Sequence, residues 1–283
     1  MDWSEKMNRA MDYIERNLEG GISYDLIARE ACCSTYHLQR MFPYLTGVTL
    51  SEYIRLRRLT LAAVDLKTTD QKVIDIALKY GYEAPEAFSR AFKAFHHLTP
   101  EKAREKNAAV KSCPRVSFPV IQKGDGKMKY RITQRKAFQI FGVSAEISTD
   151  QALAFEQVPR FFRECDENGV TETINRILGR FDDNYTISAL YDYTETSFRY
   201  MLGNFMPEGL TLPDGFSVLT VPASTWAVFD VPDCDMQAVW PRIHTEWFPS
   251  SGYEIAEGPQ FEMYYGLAGH ENGFGEIWIP VRK

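Results

Sequence analysis

The sequence has no apolar run long enough to form a membrane-spanning helix. No stretch of the 283 residues approaches eighteen consecutive apolar residues, and the first ten residues lack the apolar core of a secretory signal. The hydrophobic and charged fractions, 45% and 25%, are those of an ordinary globular protein. These absences exclude an integral membrane protein, so we expect a cytoplasmic protein with no membrane partner.

Cysteine is scarce, and neither cysteine nor histidine has the spacing of a metal site. The five cysteines are odd in number and scattered along the chain, which does not suit a disulfide framework. The five histidines show no metal-ligand spacing either. We therefore expect reduced thiols, no bound metal and no cofactor.

The motifs of common enzyme classes are also missing. The chain contains no G-x-S-x-G, no H-E-x-x-H, no phosphate-binding loop and no C-x-x-C. The sequence therefore indicates a protein that is not an enzyme and has no catalytic residues.

Positive charge is in slight excess in only one half of the chain. Residues 1–126 carry 19 Lys and Arg against 16 Asp and Glu, a net charge of +3. Residues 127–283 carry 13 against 22, a net charge of −9. A mildly basic half suits an approach to phosphates, whereas phosphates would repel an acidic half. The charges therefore favour two parts with different partners.

The helical pattern of the first half breaks in residues 107–127. This stretch contains two prolines, a Gly-Asp-Gly turn and no sustained amphipathic period. The chain is also about twice as long as a usual domain. We predict a first domain over residues 1–107, a linker over residues 108–127 and a second domain over residues 128–283.

The first half contains the pattern Arg-x-Phe-x6-Thr twice, fifty residues apart. The copies run from Arg40 to Thr49 and from Arg90 to Thr99. Amphipathic periodicity and capping residues predict helices at Met7–Leu18, Tyr24–Ala31, Thr35–Leu45, Ser51–Leu66, Val73–Lys79 and Pro85–Phe95. Each copy thus ends a helix-turn-helix unit, and two such units predict a protein that reads two neighbouring stretches of duplex DNA.

The second helix of each unit has a polar face near its start. The outward positions of the first are Tyr36, Gln39 and Arg40. The outward positions of the second are Glu86, Ala87 and Arg90. Long polar side chains on the first turns of a helix suit contacts with base edges in the major groove.

Two strings in this half carry a family resemblance. They are Ser34-x-x-His37-Leu38-Gln39-Arg40-Met41-Phe42 and Ile76-Ala77-x-x-x-Gly81-Tyr82-x5-Phe88-Ser89-Arg90-x-Phe92-Lys93, the second followed by Thr99-Pro100. Over about residues 3–107 the chain resembles the DNA-binding domain of the AraC/XylS family. The resemblance implies that the six outward residues contact bases of double-stranded DNA. Pro85-Glu86-Ala87 replaces an amide-rich run of the family, so the second helix is expected to read a different base or to add little specificity.

Two alternatives stay open in this half. Arg55, Arg57 and Arg58 suit phosphate contacts, but one of them also suits a buried ion pair. Apolar residues at helical spacing are equally typical of a helical bundle that serves only for interaction. The repeated arrangement, with an outward arginine at the same place in each copy, favours DNA binding.

The second half alternates short β-rich runs with helical stretches. Strand patterns cover Phe138–Ile147, Thr186–Tyr193, Phe198–Phe205, a hairpin-like pair in Ser217–Val231, Gln260–Tyr265 and Glu276–Val281. Helical patterns cover Gln157–Leu178, with an interruption near Asn168-Gly169, and Met236–Phe248. Strand, helix, strand, strand occurs twice. We predict a multidomain protein with an all-α first domain and an α+β second domain, whose helices lie on one side of an antiparallel sheet.

Four strings here carry a second resemblance. They are Thr225-Trp226-Ala227-Val228-Phe229, Trp247-Phe248-Pro249-Ser250-Ser251-Gly252-Tyr253, Phe261-Glu262-Met263-Tyr264 and Glu276-Ile277-Trp278-Ile279-Pro280. Over about residues 128–283 the chain resembles the GyrI-like ligand-binding domain. In sensing relatives a buried glutamate among aromatic residues binds cationic, planar drugs, which implies this role for Glu262. Alternation along the strand places Glu262 and Tyr264 on one face. The further candidate ligand contacts are Tyr191, Tyr193, Trp226 and Trp278.

Taken together, the two halves predict a DNA-binding transcriptional regulator that senses a small cationic or amphipathic effector. RNA polymerase is a further candidate partner, and both a monomer and a homodimer fit the sequence. In one alternative, Glu262 is an exposed or ion-paired strand residue and the aromatic residues only fill a core. In another, the protein is a small-molecule hydrolase or a drug-sequestering protein of the GyrI-like type, whose DNA-binding half is weak or vestigial.

Overall fold

The structure, a computed structural model, describes residues 3–105, 107–119, 128–179, 185–265 and 273–283. The chain divides into two units. The first consists of Met1–Gln39 and Val48–Ile121, and the second of Arg40–Gly47 and Gln122–Lys283. The first unit is helical, and the second combines an antiparallel sheet with helices.

The predicted helices of the N-terminal part are all present. They are α1 (Trp3–Arg16), α2 (Tyr24–Glu30), α3 (Thr35–Thr46), α4 (Leu50–Thr68), α5 (Val73–Lys79) and α6 (Pro85–His96), followed by a short α7 (Pro100–Ala103). Helix α1 begins four residues before the predicted start at Met7. The ring of Trp3 packs edge-on against Phe118 at 5.6 Å, and this contact favours the extra turn.

The repeated threonine of the Arg-x-Phe-x6-Thr pattern starts the next helix in both copies. The side chain of Thr49 accepts a hydrogen bond from the backbone N–H of Glu52, and that of Thr99 accepts one from Lys102. Such a cap satisfies an N–H group that has no partner inside the helix and is worth about 1 kcal/mol. The threonine therefore recurs because the fold needs it.

The repeated phenylalanine of the pattern is a core residue. Phe42 and Phe92 are 1% and 0% exposed. Phe92 belongs to a buried cluster with residues of α4, α5 and α7. The arginine is less buried than the phenylalanine in both copies: Arg90 is exposed and Arg40 is half-buried.

In the second unit, strands alternate with helices along the chain. Its strands are β1 (Tyr130–Arg135), β2 (Phe138–Ser148), β3 (Tyr185–Tyr191), β4 (Ser197–Phe205), β5 (Ser217–Val221), β6 (Ser224–Pro232), β7 (Glu254–Ile255), β8 (Gln260–Tyr265) and β9 (Phe274–Arg282). Its further helices are α8 (Gln151–Glu167), α9 (Val170–Leu178), α10 (Met236–Arg242) and α11 (Phe248–Ser251), with a π-helical turn at Ile243–Trp247. The strands lie in the order β1-β6-β9-β8-β3-β4-β2-β5, and β7 pairs with β9.

The predicted double repeat is confirmed by the order of these elements. Strand, helix, strand, strand appears first as β2, α8 with α9, β3 and β4, and again as β6, α10 with α11, β8 and β9. Helix α8 begins six residues before the predicted Gln157. The side chain of Asp150 accepts a hydrogen bond from the backbone N–H of Leu153 and caps the helix at that earlier point.

The predicted hairpin in Ser217–Val231 is wrong. Both strands exist, but β5 pairs with β2, whereas β6 pairs with β1 and β9. The two residues between the strands, Pro222 and Ala223, do not suit the primed turns of short hairpins, which favour Gly and Asn. Strand β1, which the sequence did not predict, pairs with β6 instead.

Alternation along the strands creates two buried clusters on opposite faces of the sheet. One face carries Ile187, Trp226, Phe261, Met263 and Trp278. On the other, Tyr200 and Leu202 pack with Phe161 of α8. Because neighbouring residues of a strand point to opposite faces, Glu262 shares the face of Tyr200. Trp240 of α10 also contacts Glu262, so the helices lie on one side, as predicted.

Candidate functional site

The positions predicted to read DNA lie outside the helical core. The exposed ones are Gln39, Glu86 and Arg90. The half-buried ones are Tyr36, Arg40 and Ala87. Their contacts with bases stay a prediction.

The acidic start of α6 has a structural cause. Pro85 occupies the first turn together with Glu86, and Ala84 at the cap provides no side-chain hydrogen bond. Proline suits the first helical position, and a negative side chain in the first turn interacts favourably with the helix dipole. Glu86 therefore stabilises the start of the helix whatever it contacts in DNA.

The three arginines of α4 are engaged within the protein. Arg57 is 9% exposed and forms two hydrogen bonds with Glu15, the shorter joining Nη2 and Oε2 at 2.7 Å. Arg58 donates to two backbone carbonyl oxygens, and Arg55 pairs with a glutamate on its own helix. Of the two roles left open by the sequence, Arg57 has the buried ion pair.

Glu262 of β8 is a buried carboxylate held by neutral donors. It is 7% exposed. Its Oε2 accepts hydrogen bonds from the hydroxyls of Tyr200 and Tyr264 at 2.7 and 3.0 Å. Its Oε1 accepts one from Nε1 of Trp240 at 2.6 Å. Within the described ranges, no Lys or Arg nitrogen lies within 4.0 Å of this carboxylate. We call these four side chains the glutamate pocket.

The two tyrosines of the glutamate pocket remain protonated donors. Burial raises the pKa of Tyr200 and of Tyr264 well above the ordinary phenol value, and the negative charge of Glu262 raises both further. The pocket therefore holds one buried negative charge surrounded by aromatic side chains.

Glu276 of β9 provides a comparison within the same sheet. It is 5% exposed and accepts hydrogen bonds from a tyrosine and a tryptophan. Unlike Glu262, it also has a cation, because Nη1 of Arg131 lies 2.7 Å from its Oε1. Glu276 pairs in register with Met263, so it faces away from Glu262. The two buried acids therefore do not form a carboxylate pair.

Arg40 lies beside the glutamate pocket, within the second unit. The Cζ atom of its guanidinium is 3.1 Å from the ring centre of Tyr193. Its Nη2 donates a hydrogen bond to Oε1 of Gln260 at 2.9 Å. Gln260 precedes Glu262 by two residues on β8 and shares its face.

The structure does not bring all six predicted ligand contacts together. Those on the face opposite to Glu262 are Tyr191, Trp226 and Trp278. The register explains this division, because Trp278 pairs with Phe261, which precedes Glu262 and points to the other side. Tyr264 does share the face of Glu262, and Tyr193 packs with the helix-covered cluster. One pocket containing all six is therefore not formed.

Three residues of this region were missed from the sequence: Tyr200, Trp240 and Gln260. Alternation on β4 and β8 places Tyr200 and Gln260 on the helix-covered face once the pairing of these strands with β3 is known. Trp240 is on a helix, and its bond to Glu262 depends on how α10 packs. Periodicity along one element does not contain that information.

Three further observations concern the described part of the chain. Each helix among these residues is too short or too polar to span a lipid bilayer. No cluster of three or more His, Cys, Asp or Glu side chains among these residues could hold a metal ion. None of the five cysteines is joined to another by a disulfide bond.

Comparison with known proteins separates the two halves of the chain. Residues 131–281 match the family described as integron-associated effector binding protein, and residues 27–106 match a helix-turn-helix domain. The transposon Tn10 TetD protein of Escherichia coli is 42% identical over 92 residues, which are 32% of this chain and 67% of that protein. The regulatory protein SoxS of Salmonella typhimurium is 37% identical over 106 residues, which are 38% of this chain and 99% of that protein.

A solved structure is similar to the second half. It is that of SAV2435 bound to tetraphenylphosphonium, with 17% identity, coverage of 55% of this chain and 94% of that chain, and a TM-score of 0.46. The effector-binding family covers more than half of the present chain, and the helix-turn-helix match includes both copies of the repeated pattern. The chain therefore belongs to the integron-associated effector binding protein family and is an AraC-type transcription regulator with a GyrI-like effector-binding domain.

Proposed function

We propose that the effector of this regulator is a small organic cation with aromatic or other apolar groups, and that it binds at Glu262. The observation that carries this proposal is the contrast between two buried carboxylates of one sheet. Glu276 is paired with Arg131, whereas Glu262 has only neutral donors. An unpaired buried carboxylate attracts a cation because burial deprives its charge of water.

The aromatic residues of the glutamate pocket favour an organic cation over a metal ion. Trp240, Tyr200 and Tyr264 offer ring faces and edges, and Phe162 lies 6.2 Å from the ring of Tyr264. A cation over an aromatic face gains about 0.5–2 kcal/mol, and apolar groups of the ligand gain more by leaving water. A hydrated metal ion would gain neither.

Glu262→Gln is expected to weaken binding of tetraphenylphosphonium by about 10–100-fold. This factor corresponds to roughly 1.5–3 kcal/mol, the usual contribution of an interaction with a charged group. The amide keeps the size of the side chain but removes its charge. Titration calorimetry and quenching of tryptophan fluorescence, both with the full chain, measure the affinity.

The matched control is Glu257→Gln, which makes the same change at an exposed position. The control ligand is triphenylphosphine oxide, a neutral compound whose weak binding should not depend on Glu262. Equal affinity of tetraphenylphosphonium for wild type and Glu262→Gln would overturn the proposal, as would an equal loss in both variants.

For the DNA-binding half we propose that Gln39 and Arg90 contact bases, since both are exposed on α3 and α6. Tyr36, Arg40, Glu86 and Ala87 complete the proposed reading positions. Arg90→Ala is expected to weaken specific DNA binding by about 10–100-fold, because a base contact of arginine is worth about 1–3 kcal/mol. Fluorescence anisotropy with DNA from upstream of the protein's own gene measures this loss.

Arg163→Ala is the control for this measurement, because Arg163 is an exposed arginine on α8 of the second unit. A loss of the same size in Arg163→Ala would show a general charge effect, and no loss in Arg90→Ala would exclude it as a base contact. Contact with RNA polymerase, the choice between monomer and homodimer, and the cytoplasmic location stay predictions.

A further inference from the structure

We propose that Arg40 and Tyr44 of α3 act as an internal ligand of the glutamate pocket, and that the effector competes with them. The inference rests on the proposed function, because it concerns the same pocket. It adds a reason why effector binding would change the behaviour of a DNA-reading helix.

The two residues are spaced to present a cation and a ring together. They are four positions apart on α3, so they lie one above the other on the same face of the helix. Both belong to the segment Arg40–Gly47, which groups with the second unit. A positive group next to an aromatic ring is also the chemistry proposed for the effector.

Arg40 makes the cationic contact. Its guanidinium lies over the ring of Tyr193 at 3.1 Å and donates to Gln260, which is two residues from Glu262 on the same strand face. The positive charge is therefore near the carboxylate but is not paired with it. This is the arrangement of a cation held mainly by an aromatic face.

Tyr44 makes the aromatic contact. Its ring stacks on His244 with the centroids 4.0 Å apart and the planes 9° from parallel. It also lies nearly parallel to Trp240 at 6.1 Å, and Trp240 donates a hydrogen bond to Glu262. Burial raises the pKa of Tyr44, while the charge of Arg40 lowers it and that of Glu262 raises it. The ring of Tyr44 thus packs against the tryptophan that holds Glu262.

The internal ligand fits imperfectly, which makes it displaceable. Among the described residues, Nε of Arg40 and Nε2 of Gln260 are buried without a hydrogen-bond partner. Buried polar atoms without partners destabilise the arrangement that contains them. A separate cation that pairs directly with Glu262, and lies where Tyr44 now stacks, would avoid these losses.

Displacement would release a residue with a proposed role in DNA recognition. A guanidinium stacked on Tyr193 cannot contact a guanine at the same time. The pocket-bound and DNA-bound states of Arg40 therefore exclude each other, and an effector that binds only the vacated pocket must favour the second. The expected sign is that effector raises DNA affinity and that DNA raises effector affinity by the same factor.

Tyr44→Ala in the full chain tests the internal ligand. If Tyr44 competes with the effector, its removal should tighten binding of tetraphenylphosphonium about 5–10-fold, because a larger fraction of the pocket is then open. If Tyr44 is instead a wall of the pocket that contacts the effector, affinity should fall. Unchanged affinity would also overturn the proposal. Tyr24→Ala, a half-buried tyrosine on α2, is the control variant.

Hydrogen exchange of the unaltered protein gives an independent result. Tetraphenylphosphonium should increase amide exchange in a peptide that covers residues 40–47, and Glu262→Gln should remove the increase. Slower exchange in this peptide would show that the segment closes on the ligand, which contradicts displacement.

A final measurement separates the two proposals and needs no ligand. Without effector, Tyr44→Ala should increase quenching of tryptophan fluorescence by acrylamide, since Trp240 loses its stacking partner. If quenching increases but the wild type does not bind tetraphenylphosphonium, the contact between Tyr44 and Trp240 is supported and the proposed function fails. If quenching does not increase while the wild type binds tetraphenylphosphonium, the internal-ligand proposal is contradicted and the proposed function stands.

Discussion

Phe92→Ala is expected to lower the free energy of unfolding of the helical unit by about 3–5 kcal/mol, the usual cost of replacing a buried phenylalanine by alanine. Phe92 is 0% exposed, and its ring lies 5.5 Å from that of Phe88 and 4.2 Å from that of His96. The side chains around Phe92 belong to several helices, so they would only partly fill the cavity that the missing ring leaves. Urea unfolding followed by far-UV circular dichroism measures the loss.

The same substitution should also abolish specific DNA binding under conditions where the wild type is marginally stable. Native domains are stable by only about 5–15 kcal/mol, so a loss of this size leaves a substantial unfolded fraction on mild heating. Leu78→Ala is the control, because Leu78 is 57% exposed and its loss should change stability by less than about 0.5 kcal/mol. A loss below about 1 kcal/mol in Phe92→Ala would contradict the assignment of this phenylalanine to the core.

The repeated pattern shows how much of the helical fold could be predicted from sequence. Its phenylalanine and threonine recur for local reasons, burial of one face and capping of the next helix, and both reasons are visible in a single segment. Helix α5 was predicted with its observed ends for the same kind of reason, since Tyr80-Gly81 ends it. The arginine of the pattern is different. Its contacts come from other parts of the chain, and the structure places Arg40 and Arg90 in unlike surroundings.

The sheet shows where prediction from sequence fails. Strand β8 was predicted with its observed ends, because alternation is a property of one segment. The partner of a strand is not such a property, and β5 and β6 were wrongly paired with each other. The glutamate pocket depends on both kinds of information. Alternation places Tyr264 beside Glu262, but only the pairing of β3 with β8 and β4 brings in Tyr200.

Arg57→Met is expected to destabilise the helical unit by about 3 kcal/mol, the lower end of the range for breaking a buried ion pair. The lower end applies because the side chains of Arg57 and Glu15 keep 11% and 15% exposure. Among the described residues, the substitution leaves the hydroxyl of Tyr53 as the remaining hydrogen-bond donor to the carboxylate of Glu15. It also removes the hydrogen bond from Arg57 to the carbonyl oxygen of Cys113.

The double variant Arg57→Met with Glu15→Leu should recover most of this loss. Removing both charges avoids the unpaired carboxylate, and two apolar side chains of similar volume are often as stable as the pair they replace. Arg55→Met is the matched control on the same helix. Its ion pair with Glu52 is as short, 2.6 Å, but its side chains are 40% and 37% exposed, so the expected loss is below about 1 kcal/mol.

Chemical unfolding of the four proteins, combined with DNA anisotropy, distinguishes this structural role from a phosphate contact. A structural Arg57 predicts a large loss of stability in the single variant, recovery in the double variant, and recovered DNA affinity along with it. A phosphate contact predicts weaker, less salt-dependent DNA binding in both variants, with little change in unfolding. The sequence alone left both roles open for the arginines of α4. The recovery of stability in the double variant decides between them, because it depends on the partner Glu15, whereas a contact of Arg57 with DNA does not.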